Sequence, residues 1–357
     1  MKKKVVVGMS GGVDSSVAAL LLRNAGHEII GVTMSIYSGR PAASPIVDSC
    51  YGPGEKDDIE EAARVCAHLG IPHRVVDLRN EYRTLVLDYT RDEYLSGRTP
   101  NPCILCNRRV KFGLLLDRAS QEAGIEFDAF ATGHYCRIVV RPENGRFALR
   151  RASADVKDQS YFLCMLTQEQ LTRVMFPLGE LAKPQVRAMA REAGLANHDR
   201  RESQDFAAGG YRAVVSAPEK EGPITDAAGK IIGSHKGVWG YTIGQRRGLG
   251  VGGGDPLYVI GIDAATNTLV AGPEQGLYRR ELVAREVNWA AIDPPAEPLR
   301  LDVKIRYRNP AAPATVTPRD DGSASVLFDE PQRAIARGQW AVFYDGDVLL
   351  GGGPIAD

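Results

Sequence analysis

At 357 residues the chain is longer than one compact core of usual size, so two or three domains are expected. Hydrophobic residues make up 44% and charged residues 25%, as in ordinary globular proteins, and no apolar run is long enough to span a membrane. Basic and acidic residues both number 44, so net charge neither supports nor excludes a nucleic-acid partner. The start, MKKKVVVGMSGG, lacks the apolar region of a signal peptide, and six cysteines then indicate a reducing cytosol.

The first third of the chain alternates strands and helices. Short β-branched runs predict strands at 5–9, 28–34, 73–78 and 128–134. Apolar residues at helical spacing, often followed by glycine, predict helices at 14–25, 57–70, 80–95 and 109–124. This alternation predicts an α/β fold with a doubly wound parallel sheet.

The pattern changes twice further along. Residues 157–215 are helical in pattern, and Pro184 in the first turn begins a helix that Gly194 ends. After about residue 220, strict alternation predicts a strand over 299–308, and Asp-Gly pairs at 321–322 and 345–346 predict hairpins. We therefore expect a catalytic domain with a helical extension, a small central β-rich domain and a C-terminal antiparallel β-barrel, at 1–215, 216–282 and 283–357.

The stretch GMSGGVDSS, residues 8–16, lies between the first strand and the first helix. Glycines there allow close backbone approach to a ligand, and exposed amides with the helix dipole attract an anion. The stretch lacks the Lys-Ser/Thr of a Walker A loop, and its adjacent glycines do not fit GxGxxG. A structural turn capped by Asp14 or Ser15 is the simpler alternative. SGGVDS resembles the signature of the ATP pyrophosphatases (PP-loop enzymes), which implies ATP cleaved between its α- and β-phosphates.

The stretch TPNPCILCN, residues 99–107, holds Cys103 and Cys106 in a CxxC pattern. This spacing occurs in zinc sites, redox pairs and iron–sulfur ligand sets, so by itself it assigns no chemistry. PP-loop enzymes deliver nitrogen or sulfur. We find no candidate segment for a glutaminase, whereas the two cysteines are suited to sulfur.

Longer motifs make the resemblance specific. They run in order along nearly the whole chain: SGRTPNPCILCNRRVKF, FATGHYCR, KDQSYFL, FPLGELAKPQVR, YTIGQRRGLG, KIRYRNP and GQWAVFY. Together they resemble the tRNA-specific 2-thiouridylase family, MnmA. The resemblance implies a transferase that adenylates the 2-carbonyl of a tRNA wobble uridine and then replaces the oxygen with sulfur, releasing AMP and pyrophosphate.

The resemblance also implies roles for particular residues. Cys106 is the expected catalytic thiol, with Cys103 beside it, and Asp14 is expected to assist the Mg²⁺ that accompanies ATP. The implied ATP contacts are Gly8, Met9, Ser10, Gly11, Gly12, Val13, Asp14, Ser15, Met34 and Gly133. The implied tRNA contacts are Asn101, Pro102, Cys103, His134, Lys157, Asp158, Gln159, Arg306, Tyr307 and Gln339. Arg306 lies on the polar face of the predicted strand, suited to phosphate, whereas alternation points Tyr307 to the other face.

The chain departs from the family pattern at two positions. Family members usually have aspartate in place of Cys103, and a second, persulfide-carrying cysteine where this chain has Ala207. Three explanations of the thiols stay open: Cys50, Cys103 and Cys106 as ligands of an iron–sulfur cluster, Cys103 and Cys106 as a persulfide pair, or half of a zinc site. We favour the cluster. Cys66 and Cys164 lie in apolar patterns and are expected to be buried.

The sequence therefore predicts a cytoplasmic, monomeric tRNA thiolase that uses ATP and Mg²⁺, receives sulfur from a donor protein or from sulfide, and does not associate with membranes. One alternative is a PP-loop thiolase or amidotransferase-type ligase that acts on another tRNA position or on a small molecule. Another is an RNA-binding module without catalysis, against which the intact SGGVDS and Cys106 argue.

Overall fold

The protein is described by a computed structural model that defines residues 2–39, 49–154, 157–200, 205–208, 210–252 and 255–356. The amino-terminal part contains β1 (Lys4–Gly8), α1 (Val13–Asn24), β2 (Glu28–Ser35), β3 (Ser49–Tyr51), α2 (Glu55–Leu69), β4 (His73–Asp77), α3 (Arg79–Tyr82), α4 (Tyr89–Leu95), α5 (Pro102–Leu105), α6 (Leu115–Ala123), β5 (Ala129–Ala131), β6 (Cys136–Val140), β7 (Phe147–Arg151), α7 (Gln168–Thr172), β8 (Val174–Met175), α8 (Lys183–Glu192), β9 (Asp205–Ala207) and α9 (Gly210–Val215). Two segments, Arg83–Asp88 and Cys106–Leu114, are π-helical.

The remaining elements are almost all strands. They are β10 (Gly222–Thr225), β11 (Ile231–His235), β12 (Tyr258–Asp263), β13 (Thr268–Gly272), β14 (Tyr278–Ala284), β15 (Leu299–Lys304), β16 (Ala312–Pro318), β17 (Ala324–Arg333), β18 (Trp340–Asp345) and β19 (Val348–Pro354). Short 3₁₀ turns occur at Ser160–Leu163, Val238–Gly240 and Glu274–Leu277. Among the described residues, no helix combines the length and the apolar character that crossing a membrane requires.

The first sheet is parallel, with the strand order β4-β2-β1-β5-β8. Its central strand is buried on both faces: Val6 packs into one apolar core with residues of α6, and Val5 and Val7 pack into another with residues of α1, α2 and α8. Helices therefore cover both faces, which confirms the doubly wound α/β fold. The carboxyl ends of neighbouring parallel strands meet at one edge, where such sheets bind ligands.

Antiparallel strands form the other two large sheets. The central sheet has the order β11-β10-β13-β12, with one parallel pair between β10 and β13, and encloses its own small core. The third sheet has the order β14-β17-β16-β15-β18-β19-β7-β6. Ala284 at the end of β14 bridges to Ile355 just past β19, so the strands from β14 to β19 curve round upon themselves. Both predicted Asp-Gly hairpins occur, between β16 and β17 and between β18 and β19.

Two sequence-based expectations are wrong in detail, and one feature was not predicted. The strand predicted over 299–308 ends at Lys304, because the chain turns at 305–309 before the next strand. The short strands β8 and β9 interrupt the segment 157–215 that was predicted to be helical. The hairpin of β6 and β7 was not predicted, and β7 pairs with β19, so the amino-terminal part extends the C-terminal sheet.

Candidate functional site

The loop after β1 turns sharply and leaves the amino end of α1 open. Gly11 has a φ of 72°, and a Cβ there would lie 2.5 Å from the Asp58 carbonyl oxygen, so glycine is required. Ser15 Oγ accepts from the Ser10 amide at 3.2 Å and donates to the Gly12 carbonyl at 3.0 Å, which fixes the loop. Gly12 is the N-cap, and no described side chain caps α1, so its first amides remain available to an anion. The predicted N-cap at Asp14 or Ser15 is wrong, because Gly12 occupies that position.

The residues predicted to contact ATP gather at one edge of the parallel sheet. The loop members run from the end of β1 into α1: Gly8, Met9, Ser10, Gly11, Gly12, Val13, Asp14 and Ser15. Met34 lies near the end of β2 and Gly133 follows β5, and these two strands flank β1. A Cβ on Gly133 would lie 2.6 Å from the carbonyl carbon of Asp14. Gly133 is therefore packed directly against the loop.

Asp14 has two partners that the sequence did not reveal. Lys183 Nζ lies 2.7 Å from each carboxylate oxygen of Asp14, and the Tyr135 hydroxyl donates to Oδ1 at 2.6 Å. The Lys183 side chain is only 11% exposed, whereas that of Asp14 is 27% exposed. The FPLGELAKPQVR motif contains Lys183, but a lysine 169 residues from Asp14 gives no sequence signal of this contact. The pair places a cation and an accessible carboxylate beside the anion loop.

The segment after α8 also holds the loop. Asn197 Nδ2 donates to the Gly11 carbonyl and to Ser16 Oγ, both at 2.9 Å. Arg200 Nη1 donates to the Gly11 carbonyl at 3.3 Å, and the same guanidinium forms an ion pair with Asp58. Nothing in the sequence indicated these contacts. These hydrogen bonds attach the loop to a segment that is far away in the sequence.

The CxxC begins a short helix. Asn101 is the N-cap of α5, Pro102 occupies its first turn, and both Cys103 and Cys106 are half-buried. Burial raises the pKa of Cys106 to about 11, against the opposing charge of Lys111, with Cys50 adding to the rise. Burial raises the pKa of Cys103 to about 12, with Cys50 and Cys106 contributing. Both groups are thiols, not thiolates, at neutral pH in the free protein.

Cys50 lies on β3, more than fifty residues earlier in the chain. Its charge contributes to the raised pKa of both Cys103 and Cys106. Yet among the described residues no three His, Cys, Asp or Glu side chains are grouped closely enough to hold a metal ion. The arrangement therefore does not fit the three cysteines as cluster ligands. Cys66 and Cys164 are 1% and 0% exposed, which confirms their predicted burial.

His134 links the anion loop to the thiols. It directly follows Gly133, its Nδ1 shares a 2.6 Å hydrogen bond with Thr132 Oγ1, and its ring lies 5.9 Å from that of Phe112. Burial, with the charge of Lys111 adding, lowers its pKa well below the ordinary value, so the imidazole is neutral. Phe112 belongs to the π-helical segment that Cys106 begins, so the two predicted sites are neighbours. Lys111, in the NRRVKF motif, was not predicted to have a role.

The C-terminal sheet holds the loop that precedes the CxxC. The Thr99 amide donates to the Arg337 carbonyl at 2.7 Å. Gln339 Nε2 donates to the Thr99 carbonyl at 3.0 Å and to the Pro100 carbonyl at 3.4 Å. Gly338 has a φ of 86°, and a Cβ there would lie 3.0 Å from the Thr99 amide nitrogen. Gln339 was predicted to contact tRNA, but its side-chain amide donates to the loop that precedes the CxxC.

The predicted tRNA contacts at 157–159 are partly engaged within the protein. Asp158 is 6% exposed, and its carboxylate accepts from the Ala152 amide and from the amide and hydroxyl of Ser160. Gln159 Oε1 accepts from the Tyr135 amide at 3.0 Å. Asp158 and Gln159 therefore shape the turn, and Lys157 is the member whose charge suits a phosphate.

Arg306 and Tyr307 follow β15 in a turn. Arg306 Nη2 donates to the Ala334 carbonyl at 3.0 Å and to the Ile243 carbonyl at 3.3 Å, joining the central and C-terminal sheets. Its Nε is buried and finds no acceptor in the described part of the chain. The Tyr307 ring lies 4.3 Å from that of Phe162. Tyr307 therefore packs against the 3₁₀ turn Ser160–Leu163. Neither Arg306 nor Tyr307 lies on a strand, contrary to the prediction.

Family models cover nearly the whole chain. Residues 3–207 match the tRNA methyl transferase HUP domain, residues 215–273 the tRNA methyl transferase PRC-barrel domain, and residues 279–355 the aminomethyltransferase beta-barrel domain. These matches agree in kind with the three parts predicted from the sequence.

Curated relatives match from end to end. The chain is 44% identical to the tRNA-specific 2-thiouridylase MnmA of Endomicrobium trichonymphae, over 99% of this chain and 98% of the relative. It is 46% identical to the corresponding protein of Trichormus variabilis, with the same coverage. It is 43% identical to that of Clostridioides difficile, over 99% and 98% of the two chains. The chain therefore belongs to the MnmA family of tRNA-specific 2-thiouridylases.

Proposed function

We propose that this protein uses ATP to adenylate the 2-carbonyl oxygen of a tRNA wobble uridine and then replaces that oxygen with sulfur. One observation carries the proposal: Gly133 packs against the anion loop, and the next residue, His134, stacks its ring 5.9 Å from Phe112 in the π-helical segment that Cys106 begins. A carbonyl oxygen is a poor leaving group, and adenylation makes it a good one. The loop supplies the site for that activation, and the neighbouring thiols supply the site for sulfur attack.

The nucleotide half of the reaction rests on the loop from Gly8 to Ser15. Its amides and the amino end of α1 suit the phosphates, and Met34 and Gly133 border the same edge. Mg²⁺ is held in proteins by one or two carboxylates together with substrate phosphates, and the accessible Asp14 fits that requirement. When bound, the ion would screen the phosphate charge. Lys183, beside Asp14, supports this by placing a cation where pyrophosphate departs.

The sulfur half rests on Cys106. The thiol is half-buried and keeps its proton, so a proton must leave as sulfur chemistry begins. The neutral His134 suits the role of a hydrogen-bond partner, because its lowered pKa makes it a weak proton acceptor. Because the three cysteines do not fit a metal site, the proposed reaction includes no step on an iron–sulfur cluster or on zinc. A relay of thiols is the alternative that the geometry supports.

The predicted tRNA contacts complete the proposal. Asn101, Pro102 and Cys103 form the beginning of α5, which suits the extruded uracil, and extrusion of a base costs about a few kcal/mol. Lys157, Arg306 and the basic stretches near them suit the phosphate backbone. We further propose that the protein acts in the cytoplasm as a monomer and takes its sulfur from a persulfide donor or from sulfide.

A direct test is nucleoside mass analysis of tRNA after reaction with ATP, Mg²⁺ and a sulfur source. Transcripts carrying wobble uridine should gain 2-thiouridine, and matched transcripts with wobble cytidine should not. Cys106→Ser should abolish the product, whereas Cys66→Ala, in a buried thiol of α2 outside the CxxC segment, should retain it. AMP formation at an unchanged rate without tRNA would instead favour a ligase that acts on a small molecule.

A further inference from the structure

Two adjacent arginines, Arg246 and Arg247, have no role so far, although they belong to the motif YTIGQRRGLG at 241–250. Both are exposed, and within the described part of the chain neither guanidinium has a hydrogen-bond or ion-pair partner. By contrast, Arg333 in the C-terminal sheet is paired, with its Nε 2.9 Å from Glu274 Oε1. Adjacent like charges without a counter-charge repel each other, so this pair suits a ligand that brings negative charge.

The loop that carries the two arginines is preformed. Gln245 Oε1 accepts from the Thr242 amide at 3.2 Å, and Gln245 Nε2 donates to the Arg247 carbonyl at 2.9 Å. Leu249 is buried in the core of the central sheet and anchors the end of the loop. Because the backbone is already ordered, a ligand that binds here loses little affinity to the ordering of the loop.

The loop lies beside the segment that leads into the CxxC helix. Thr99 Oγ1 donates to Thr242 Oγ1 at 3.4 Å, and Thr99 lies two residues before the N-cap of α5. A Cβ on Gly97 would lie 2.8 Å from Ile262 Cγ2 in β12, so the same segment packs against the central sheet. Consecutive Cα atoms are about 3.8 Å apart, so the Cα of Arg246 lies within about 15 Å of that of Thr242.

The C-terminal sheet also holds the loop. Gly244 has a φ of 88°, and a Cβ there would lie 2.9 Å from Ala334 Cβ. Arg306 Nη2 donates to the Ile243 carbonyl at 3.3 Å and to the Ala334 carbonyl at 3.0 Å. The loop is therefore in contact with the segment before α5, the central sheet and the C-terminal sheet, and its place relative to the CxxC helix is fixed.

We infer that Arg246 and Arg247 bind backbone phosphates of the tRNA anticodon arm and thereby position the wobble nucleotide at the CxxC helix. Arginine forms charge-assisted, often paired hydrogen bonds to phosphate oxygens, and such contacts orient a nucleic acid without reading its sequence. The inference rests on the proposed function. It adds a positioning element from the central part of the chain, where the sequence predicted no tRNA contact.

The salt dependence of tRNA binding tests these contacts. Filter binding of the full-length protein to a tRNA with wobble uridine, without ATP, is measured between about 50 and 200 mM salt. Each phosphate contact to a single strand contributes about 0.7 to the slope of log Kd against log salt, so Arg246→Gln/Arg247→Gln should lower the slope by about 1.4. At about 0.1 M salt the same loss corresponds to roughly 25-fold weaker binding. An unchanged slope and affinity would overturn the inference.

Arg319→Gln serves as the matched control. Arg319 is exposed too, but it lies in the hairpin before the ten-residue strand β17, whereas Ala334 follows the other end of that strand. At about 3.3 Å per residue, the two ends of β17 are roughly 30 Å apart. Arg319→Gln should keep the wild-type slope, and an equal loss in this variant would overturn the inference. Arg246→Lys/Arg247→Lys should retain most of the slope, because lysine keeps the charge.

An RNA hairpin that consists of the anticodon arm alone locates the contacts. Arg246→Gln/Arg247→Gln should lose as much affinity for this hairpin as for the whole tRNA. A loss confined to the whole tRNA would place the contacts in another arm and overturn the assignment.

Steady-state formation of 2-thiouridine separates tRNA binding from folding. Arg246→Gln/Arg247→Gln should raise KM for tRNA and leave kcat and KM for ATP unchanged, whereas a general disturbance of the fold would change all three. A wild type that binds tRNA but forms no 2-thiouridine would refute the proposed function, and the salt slopes would still decide on Arg246 and Arg247.

Discussion

Replacement of Gln339 by alanine tests how strongly sulfur transfer depends on the C-terminal sheet. The change removes the 3.0 Å hydrogen bond to the Thr99 carbonyl and the weaker 3.4 Å one to the Pro100 carbonyl. One neutral hydrogen bond contributes about 1 kcal/mol net. Thr99 is half-buried, so water compensates part of the loss. If the whole effect appears in the sulfur-transfer step, kcat falls about fivefold.

The assay is steady-state formation of 2-thiouridine over a range of tRNA concentrations. We expect a lower kcat and an unchanged KM for tRNA, because the loop is displaced while the basic residues outside it that suit the phosphate backbone keep their positions. Gln339→Glu should be at least as damaging, since a carboxylate cannot donate to either carbonyl. Gln332→Ala, which removes a local bond to the Glu330 carbonyl in the same sheet, serves as the matched control and should have no effect.

The opposite pattern would refute this reasoning. If Gln339→Ala raised KM for tRNA severalfold and left kcat unchanged, the amide would serve tRNA binding, as the family resemblance implies. The Thr99–Arg337 hydrogen bond would then suffice to hold the loop.

Three further predictions concern the nucleotide loop and the thiols. Lys183→Met leaves Asp14 without its cation and should weaken ATP binding at least tenfold, measured by calorimetry. Lys183→Arg should retain much of the affinity. Equal ATP affinities of Lys183→Met and the wild type would contradict this. The rate at which iodoacetamide alkylates Cys106, measured in Cys103→Ala, should rise about tenfold per pH unit from pH 7 to 10. The reason is that the fraction of reactive thiolate increases with pH below a pKa of about 11. A plateau of the rate below pH 9 would contradict this. Protein purified anaerobically should hold far less than one iron–sulfur cluster per chain, and stoichiometric iron that Cys50→Ala, Cys103→Ala and Cys106→Ala each remove would contradict that.

The parallel sheet and its anion loop were predictable because their signals are local. β-branched runs, a glycine turn and an amphipathic helix follow one another within the first 25 residues, and the observed β1, loop and α1 agree with them closely. The ATP contacts were implied by the family resemblance and stay a prediction. Parallel strands bring their carboxyl ends together, which explains why Gly8, Met34 and Gly133 lie at one edge.

Contacts between distant segments could not be predicted from local patterns. Lys183 reaches Asp14 across 169 residues, and Gln339 reaches Thr99 across 240. The alternation of apolar and polar residues continues past Lys304, but the strand ends there and the chain turns. The orientation of Tyr307 therefore could not be predicted from that alternation. The pairing of β3, which carries Cys50, with β9 also joins distant segments, and periodicity does not encode it.

The measurement that tests the central claim most directly follows the oxygen of the target uridine. A tRNA whose wobble uridine carries ¹⁸O at the 2-carbonyl is incubated with the protein, ATP, Mg²⁺ and a persulfide, and the AMP is analysed by mass spectrometry. Adenylation of the carbonyl predicts AMP that contains the ¹⁸O, in amounts equal to the 2-thiouridine formed. Unlabelled AMP accompanied by 2-thiouridine would show that ATP does not activate this oxygen, and would contradict the account.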